Sequence, residues 1–391
     1  MRRSLVVAQV ALSVVLMTAG LLFARSLFNL LTVDAGFSPA GLLEADVDMR
    51  PVNLPGPARA ALRDELLSRL RESPEVVNAA TVASVPFVGN WWRNVYLQNG
   101  DGFRRAMGRF NRVSAGYFAT VGTPVLHGRD FDPGSDTAAS PRVAIVNQAF
   151  ARKFLGDGSP LGIELRPEGA RGGEPGNTAF RIVGVVGDTK HGGLREPFDP
   201  IVFVAESQLA EPPPFLNIFI RPRATPDAGY AGVRATIARL NPSLAFHFHD
   251  VGQVRLESIS QDRLMAMLCG AFAILGAMLA TIGVYGVMAY SVARRRNEIG
   301  VRLALGAGGT AILRMVLGEA TRVVGVGVAI GGAVALASSR LASSKLYGVE
   351  PWDPLTLTTA IVTLFAVALL AAFLPAQRAS RTNPTAALRH D

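Results

Sequence analysis

Cysteine is almost missing from this chain: Cys269 is the only one in 391 residues, so no intrachain disulfide can form. Lysine is scarce as well, supplying three of the 39 basic residues (Lys153, Lys190 and Lys345). Charged residues make up 18%, below the roughly 25% typical of soluble domains. A disulfide-stapled miniprotein and a charge-rich disordered chain are therefore excluded. The charge present leans basic, 39 Lys+Arg against 30 Asp+Glu, for a formal net charge of +9. The arginines are scattered, with no basic stripe interleaved with aromatics, so the excess does not point to nucleic acid.

Catalytic and metal motifs are missing too. The histidines (His127, His191, His247, His249, His390) form no HExxH and no Cys/His metal spacing. His247 and His249 would share one face of a strand, but two ligands are too few for a metal, and they read as exposed edge residues. There is no G-x-S-x-G elbow, and Gly306-Ala-Gly-Gly-Thr310 lacks the lysine of a P-loop. Asp188-Thr-Lys190 reads as a charged turn after a strand. The expectation is a non-catalytic chain with no catalytic and no metal-binding residues.

What the chain does have is long apolar runs, and its mean hydropathy is positive at +0.29. About 20 apolar residues cross about 30 Å of hydrocarbon. Four stretches qualify: Leu5 to Phe23, Leu264 to Val292, Ala311 to Leu336 and Leu355 to Leu374. The first is longer than the roughly 7–15 residues of a signal-peptide core and precedes no A-x-A site, so it reads as a retained anchor. Apolar faces continue through Arg25 to Leu31 and Leu256 to Leu264, which predicts stalks beyond the lipid on both flanks of the intervening segment.

Short-loop charge sets the orientation. Arg2 and Arg3, then Arg294, Arg295, Arg296 and Arg302 against Glu298, then Arg378, Arg381 and Arg389 against Asp391, form three net-positive segments. The loop between the third and fourth runs balances Arg340 and Lys345 against Glu350 and Asp353. Both termini are thus expected in the cytoplasm, with the large intervening domain outside.

That domain reads as mixed α+β. Strand signals lie at 42–48, 76–85, 180–187 and 216–221, and helical spacing at 57–73 and 228–240. Residues 142–156 read as a buried strand, Asn147 as an N-cap, and a short helix stopped by Gly156. The Gly-rich stretch 166–177 reads as a loop. In the third apolar run, Glu319 and Arg322 are spaced i, i+3 and read as a pair near the cytoplasmic lip. Gly276, Ala280 and Gly283, and Gly327 and Gly331, are small residues at helix-packing spacing.

The most informative segment is Ala293 to Ala307, ARRRNEIGVRLALGA. Glu298 and Arg302 stand in the favourable i, i+4 order, Ile299, Leu303 and Leu305 supply an apolar face, and Gly306 is a stop. A short amphipathic helix at the inner surface suits either anionic lipid or a groove of a cytoplasmic protein, and periodicity alone leaves both open.

This segment resembles the coupling segment of FtsX/MacB-type ABC transporter permeases, R-R-x-E-I-G-x-R-x-A-L-G-A. The tail from Pro375 to Arg389 is similar to that family's P-A-x-R-A-x-x-x-x-P-x-x-A-L-R signature. Gly116-Tyr-Phe118, His127-Gly-Arg-Asp-Phe131, Val143 to Phe154 and Ile182 to Asp188 resemble its extracytoplasmic core domain.

The resemblance implies an α-helical membrane protein with four transmembrane helices (1+3) and a large α+β extracytoplasmic domain inserted between helices 1 and 2. The expected divisions are helix 1 with stalk (1–31), MacB-like core domain (32–255), stalk and helix 2 (256–292), coupling helix (293–310), helix 3 (311–337), outer loop (338–354), helix 4 (355–374) and cytoplasmic tail (375–391). It further implies a cytoplasmic ABC ATPase dimer that binds the ATP and Mg. That dimer would be contacted by Arg294, Arg295, Arg296, Glu298, Ile299, Gly300, Arg302, Leu303, Leu305 and Gly306, while this chain carries no cofactor. MacB holds its ATPase on one polypeptide with the permease, so here a separate subunit is expected. Arg3 to Leu12 and Asp34-Ala-Gly-Phe37 resemble the start of the second half of duplicated permeases. The second permease unit is accordingly a homodimer mate or the other half of a duplicated chain. Membrane lipid is a further partner and a periplasmic adaptor a candidate one; the implied location is the bacterial inner membrane, the implied role export or efflux by mechanotransmission. The alternative is a membrane-anchored scaffold or sensor that binds an envelope ligand without ATP.

Overall fold

The computed structural model describes residues 2–89, 91–99, 102–156, 158–170, 172–209, 211–223, 226–305, 308–350 and 352–380. They fall into two compact units, one of residues 33–259 and one combining 1–32 with 260–391. Helix α1 (Arg2–Thr32) comes first.

The 33–259 unit opens with β1 (Leu43–Asp48), α2 (Gly56–Glu72) and β2 (Val76–Val82). The chain then builds β3 (Trp92–Asn99), β4 (Gly102–Val113), α3 (Tyr117–Val121), β5 (Val125–Gly128), β6 (Val143–Asn147), α4 (Gln148–Phe154), β7 (Glu164–Pro167), β8 (Phe180–Val186) and β9 (Ile201–Ala205). It returns through β10 (Phe215–Pro222), α5 (Pro226–Leu240), β11 (Ala245–Asp250) and α6 (Val251–Glu257).

Two lobes result. In the first, the strands lie in the order β11-β1-β10-β2, all antiparallel, with α2 and α5 as the crossovers, a split β-α-β arrangement. Strand alternation sends Leu43, Ala45 and Val47 against Leu66, Leu67 and Leu70 of α2 and Val233 and Ile237 of α5. In the second, β9 pairs in parallel with β4 and closes β4-β3-β7-β8-β6-β9 into a ring. Its interior is filled by Val95, Phe110, Val146, Leu165, Ile182 and Val202, with Phe150 of α4 in the same cluster. Tyr117 of α3 stacks on Phe219 of the first lobe, and Phe118 meets Phe203 of the second edge-on.

The expected strand-cap-helix at 142–156 is present. The Asn147 side chain accepts from the Phe150 amide at 3.0 Å and from the Ile201 amide at 2.8 Å, so one residue caps α4 and ties it to β9. The loop expected over 166–177 begins two residues later than the sequence suggests. Arg166 and Pro167 belong to β7, which pairs with β3 and β8, and a bridge joins Glu168 to Pro175. The short strand is held by pairing with its ring neighbours, with Leu165 as its one side chain in the core.

The other unit adds α7 (Ser260–Arg294), α8 (Arg296–Ala304), α9 (Gly309–Ala342) and α10 (Pro354–Ser380) to α1. Helices α1, α7, α9 and α10 are each long and apolar enough to cross a membrane, one preceding the 33–259 unit and three following it. Their shared core includes Val10 and Val14 of α1, Ala280 and Val284 of α7, Ala320 and Val324 of α9, and Leu364 and Ala368 of α10.

Candidate coupling site

Helix α1 is the element the others pack on, and small residues let them approach. A Cβ added to Gly276 of α7 would meet Leu16 and Ser13 of α1 at 3.3–3.5 Å, and Gly283 lies against Gln9. Ser13 Oγ donates to the Gly276 carbonyl at 2.7 Å. On α9, a Cβ at Gly327 would meet Val10 at 2.8 Å, and one at Gly331 would meet the Ala11 carbonyl oxygen at 2.6 Å. The structure thus brings Gly276, Ala280, Gly283, Gly327 and Gly331 to the two faces on which α7 and α9 meet their neighbours.

At one end of this bundle, α7 stops at Arg294 and α8 starts after a single residue, Arg295. Helix α8 is held from one side. Ile299 is buried with Ile312 of α9 and Ala379 of α10, and Leu303 and Met315 pack on that cluster. Gly300 is buried as well. The opposite side is open: Arg294, Arg296, Glu298 and Arg302 are exposed, as are Val301 (45%) and Leu305 (83%). Glu298 and Arg302 pair at 2.7 Å, an i, i+4 bridge that stiffens the exposed face by ~0.3–0.5 kcal/mol.

Two expectations change here. Leu305 does not share a face with Ile299 and Leu303; after the last turn of α8 it points outward, and Val301 is its apolar companion on the open side. Ile299 and Gly300, expected among the ATPase contacts, are buried on the side of α8 that faces its own helical unit. Gly306 lies outside the described residues.

Arg295 is turned inward. Its guanidinium reaches Glu319 of α9 at 3.3 Å, and Arg3 at the start of α1 pairs with the same carboxylate. Glu319 was expected to pair with Arg322; its partners come instead from α1 and the α7–α8 junction. The i, i+3 spacing was legible, but a partner 316 residues away in the chain carries no sequence signal. At the other end, Arg25 of α1 pairs with Asp353, which caps α10 by accepting from the Thr356 amide at 3.0 Å. Asn29 donates to the Gly348 carbonyl at 2.9 Å, and Ser26 Oγ accepts from the Tyr347 amide at 2.8 Å.

Two family models match the chain, one after the other. Residues 4–240 match the model of the MacB-like periplasmic core domain, and residues 270–384 match that of the FtsX-like permease C-terminal region. The chain belongs to the MacB/FtsX-type permease family. Among its relatives is the macrolide export ATP-binding/permease protein MacB of Bradyrhizobium diazoefficiens, 26% identical over 72% of this chain and 43% of that protein. Another is the pyoverdine export ATP-binding/permease protein PvdT of Pseudomonas putida, 31% identical over 68% of this chain and 40% of that protein. This permease chain spans less than half the length of these curated relatives. A solved structure similar to it is the periplasmic region of MacB from Actinobacillus actinomycetemcomitans, at 12% identity and a TM-score of 0.38, covering 59% of this chain and 97% of that one.

Proposed function

We propose that this chain is the permease subunit of an ABC exporter that works by mechanotransmission. A cytoplasmic ATPase dimer, carried on a separate polypeptide and holding ATP and Mg, binds the open face of α8. Closure of that dimer pushes α8, and the push reaches α1, α7, α9 and α10 through the buried Ile299 seat and the Glu319 carboxylate. Two permease units act together, and the 33–259 domain moves outside the membrane. The four long helices span the inner membrane with both termini in the cytoplasm, an orientation favoured by the arginine-rich segment 294–302.

The observation that carries this reading is the two-sidedness of α8. One face is buried against the bundle, and the other presents a rigid charged pair flanked by exposed Val301 and Leu305. A helix lying on anionic lipid would bury its apolar face in lipid. Here the main apolar side chain is already spent inside the protein, so the open face suits a protein groove better.

Affinity isolation from native membranes tests it. A P-loop ATPase should co-purify, more strongly with a non-hydrolysable ATP analogue. Recovery of envelope proteins alone, unaffected by nucleotide, would favour a scaffold or sensor instead.

A further inference from the structure

On the first-lobe sheet, the face opposite α2 and α5 carries a cleft of about 780 Å³ beside the segment that joins β2 to β3. The alternation that sends Leu43, Ala45 and Val47 to the helices sends Glu44 and Asp46 into this cleft. Glu206, in the turn after β9, and Glu257, at the end of α6, also line it. Against these four carboxyls stand Arg112 of β4 and His249 of β11, the latter directly across from Glu44 in register. Trp91, Val88 and Phe215 supply apolar wall, and Val88 and Phe215 are exposed.

Glu44 differs from the other carboxyls. Its residue is only 7% exposed, yet among the described residues no hydrogen bond or ion pair reaches its carboxyl. Glu206 is equally buried but accepts from Thr81 Oγ1 and has Arg63 at 3.9 Å. Burial, with Asp46 adding to it, pushes Glu44 up to about 7. A carboxyl that faces the cleft with no donor from the protein is one that a ligand's N–H can pair.

We propose that this cleft is a binding site for a cationic amphiphile, a protonated amine on an apolar body, with Glu44 accepting from the ammonium and Trp91 and Val88 flanking the body. The volume lies within the range of about 300–1,000 Å³ usual for small-molecule sites. An anion would face four carboxyls, and a neutral apolar ligand would leave Glu44 unpaired. The site is complete within residues 33–259, so it stands whether or not an ATPase binds α8.

The test is isothermal titration of the full chain in lipid nanodiscs with 3-phenylpropylammonium and its neutral counterpart 3-phenylpropan-1-ol. At pH 8 the amine should bind saturably and about tenfold tighter than the alcohol, and Glu44→Gln should remove most of that difference. The amine stays protonated from pH 6 to 8 while Glu44 ionises, so wild-type affinity should rise several-fold over that interval. Glu206, pushed up to about 7 by its own burial, adds to the same trend, so Glu44→Gln should flatten it without abolishing it. Equal binding of amine and alcohol, an unchanged affinity in Glu44→Gln, or no saturable binding beyond empty nanodiscs would overturn the proposal. If Glu44→Gln fails to fold, a wild-type affinity that does not rise with pH overturns it on its own.

Discussion

The Arg295 guanidinium, in the one-residue link between α7 and α8, lies 3.3 Å from the Glu319 carboxylate of α9. Arg3 of α1 pairs with the same carboxylate, so a single half-buried acid ties three helices together beside α8. Replacing Glu319 by Gln should destabilise the helical unit by ~1–2 kcal/mol, discounted because both arginines are partly exposed. In a double-mutant cycle, Glu319→Gln with Arg295→Gln should cost little more than Glu319→Gln alone. Thermal unfolding in nanodiscs reads this; strictly additive losses would show that the contact carries no coupling.

Close approach of α1 and α9 makes a second prediction. Gly331→Val should destabilise the unit by ~1–3 kcal/mol, because the new side chain meets the Ala11 backbone. Gly325→Ala is the control, since an added Cβ there meets nothing within 4 Å. If both substitutions leave unfolding unchanged, these glycines do not set the helix spacing.

Seating and contact on α8 separate by substitution. Ile299→Ala removes a buried anchor and should loosen α8, with faster amide exchange over residues 296–304. Leu305→Asp changes an 83% exposed side chain and should leave that exchange alone while weakening ATPase capture. The reverse pattern would place the contact surface on the wrong face.

Much of this was legible in the sequence, and the failures have a common cause. Asn147 announces its helix because capping is local: the Oδ1 acceptor and the Phe150 amide are three residues apart. The four apolar helices are legible for the same reason, length and hydropathy being properties of one segment. By contrast, β7 at Glu164–Pro167 exists only because β3 and β8 flank it, and Glu319 finds its partners on two other helices. Glu44 reads as one polar residue in an alternating strand until the fold brings Glu206 and Glu257 to the same cleft. Leu305 reads as part of the apolar face of Ile299 and Leu303, but α8 ends at Ala304, and one residue beyond it the side chain points outward.

His191 gives the 33–259 domain a pH signature. It is buried between Asn111 at 3.3 Å and Thr189 at 3.3 Å, and burial, with Arg109 adding to it, lowers its pKa from 6.5 to about 4. The unfolded chain therefore binds a proton that the folded domain refuses between about pH 6.5 and 4. The stability this contributes is present above 6.5 and is lost as pH falls through that window. Buried Glu44 and Glu206, raised to about 7, act in the opposite sense, so the wild-type profile mixes the two. The stability difference between wild type and His191→Gln isolates the histidine. It should shrink steadily from pH 6.5 toward 4, and a constant difference would contradict a neutral buried imidazole.

The most direct test of coupling through α8 is ATP hydrolysis by the reconstituted permease–ATPase complex carrying Glu298→Arg with Arg302→Glu. The double reversal keeps an i, i+4 ion pair within the helix while inverting the charge pattern on its open face. Stimulated hydrolysis should fall at least about tenfold, the ~1.4 kcal/mol expected from turning two charge-assisted contacts repulsive. Hydrolysis stimulated to the wild-type level would contradict the account.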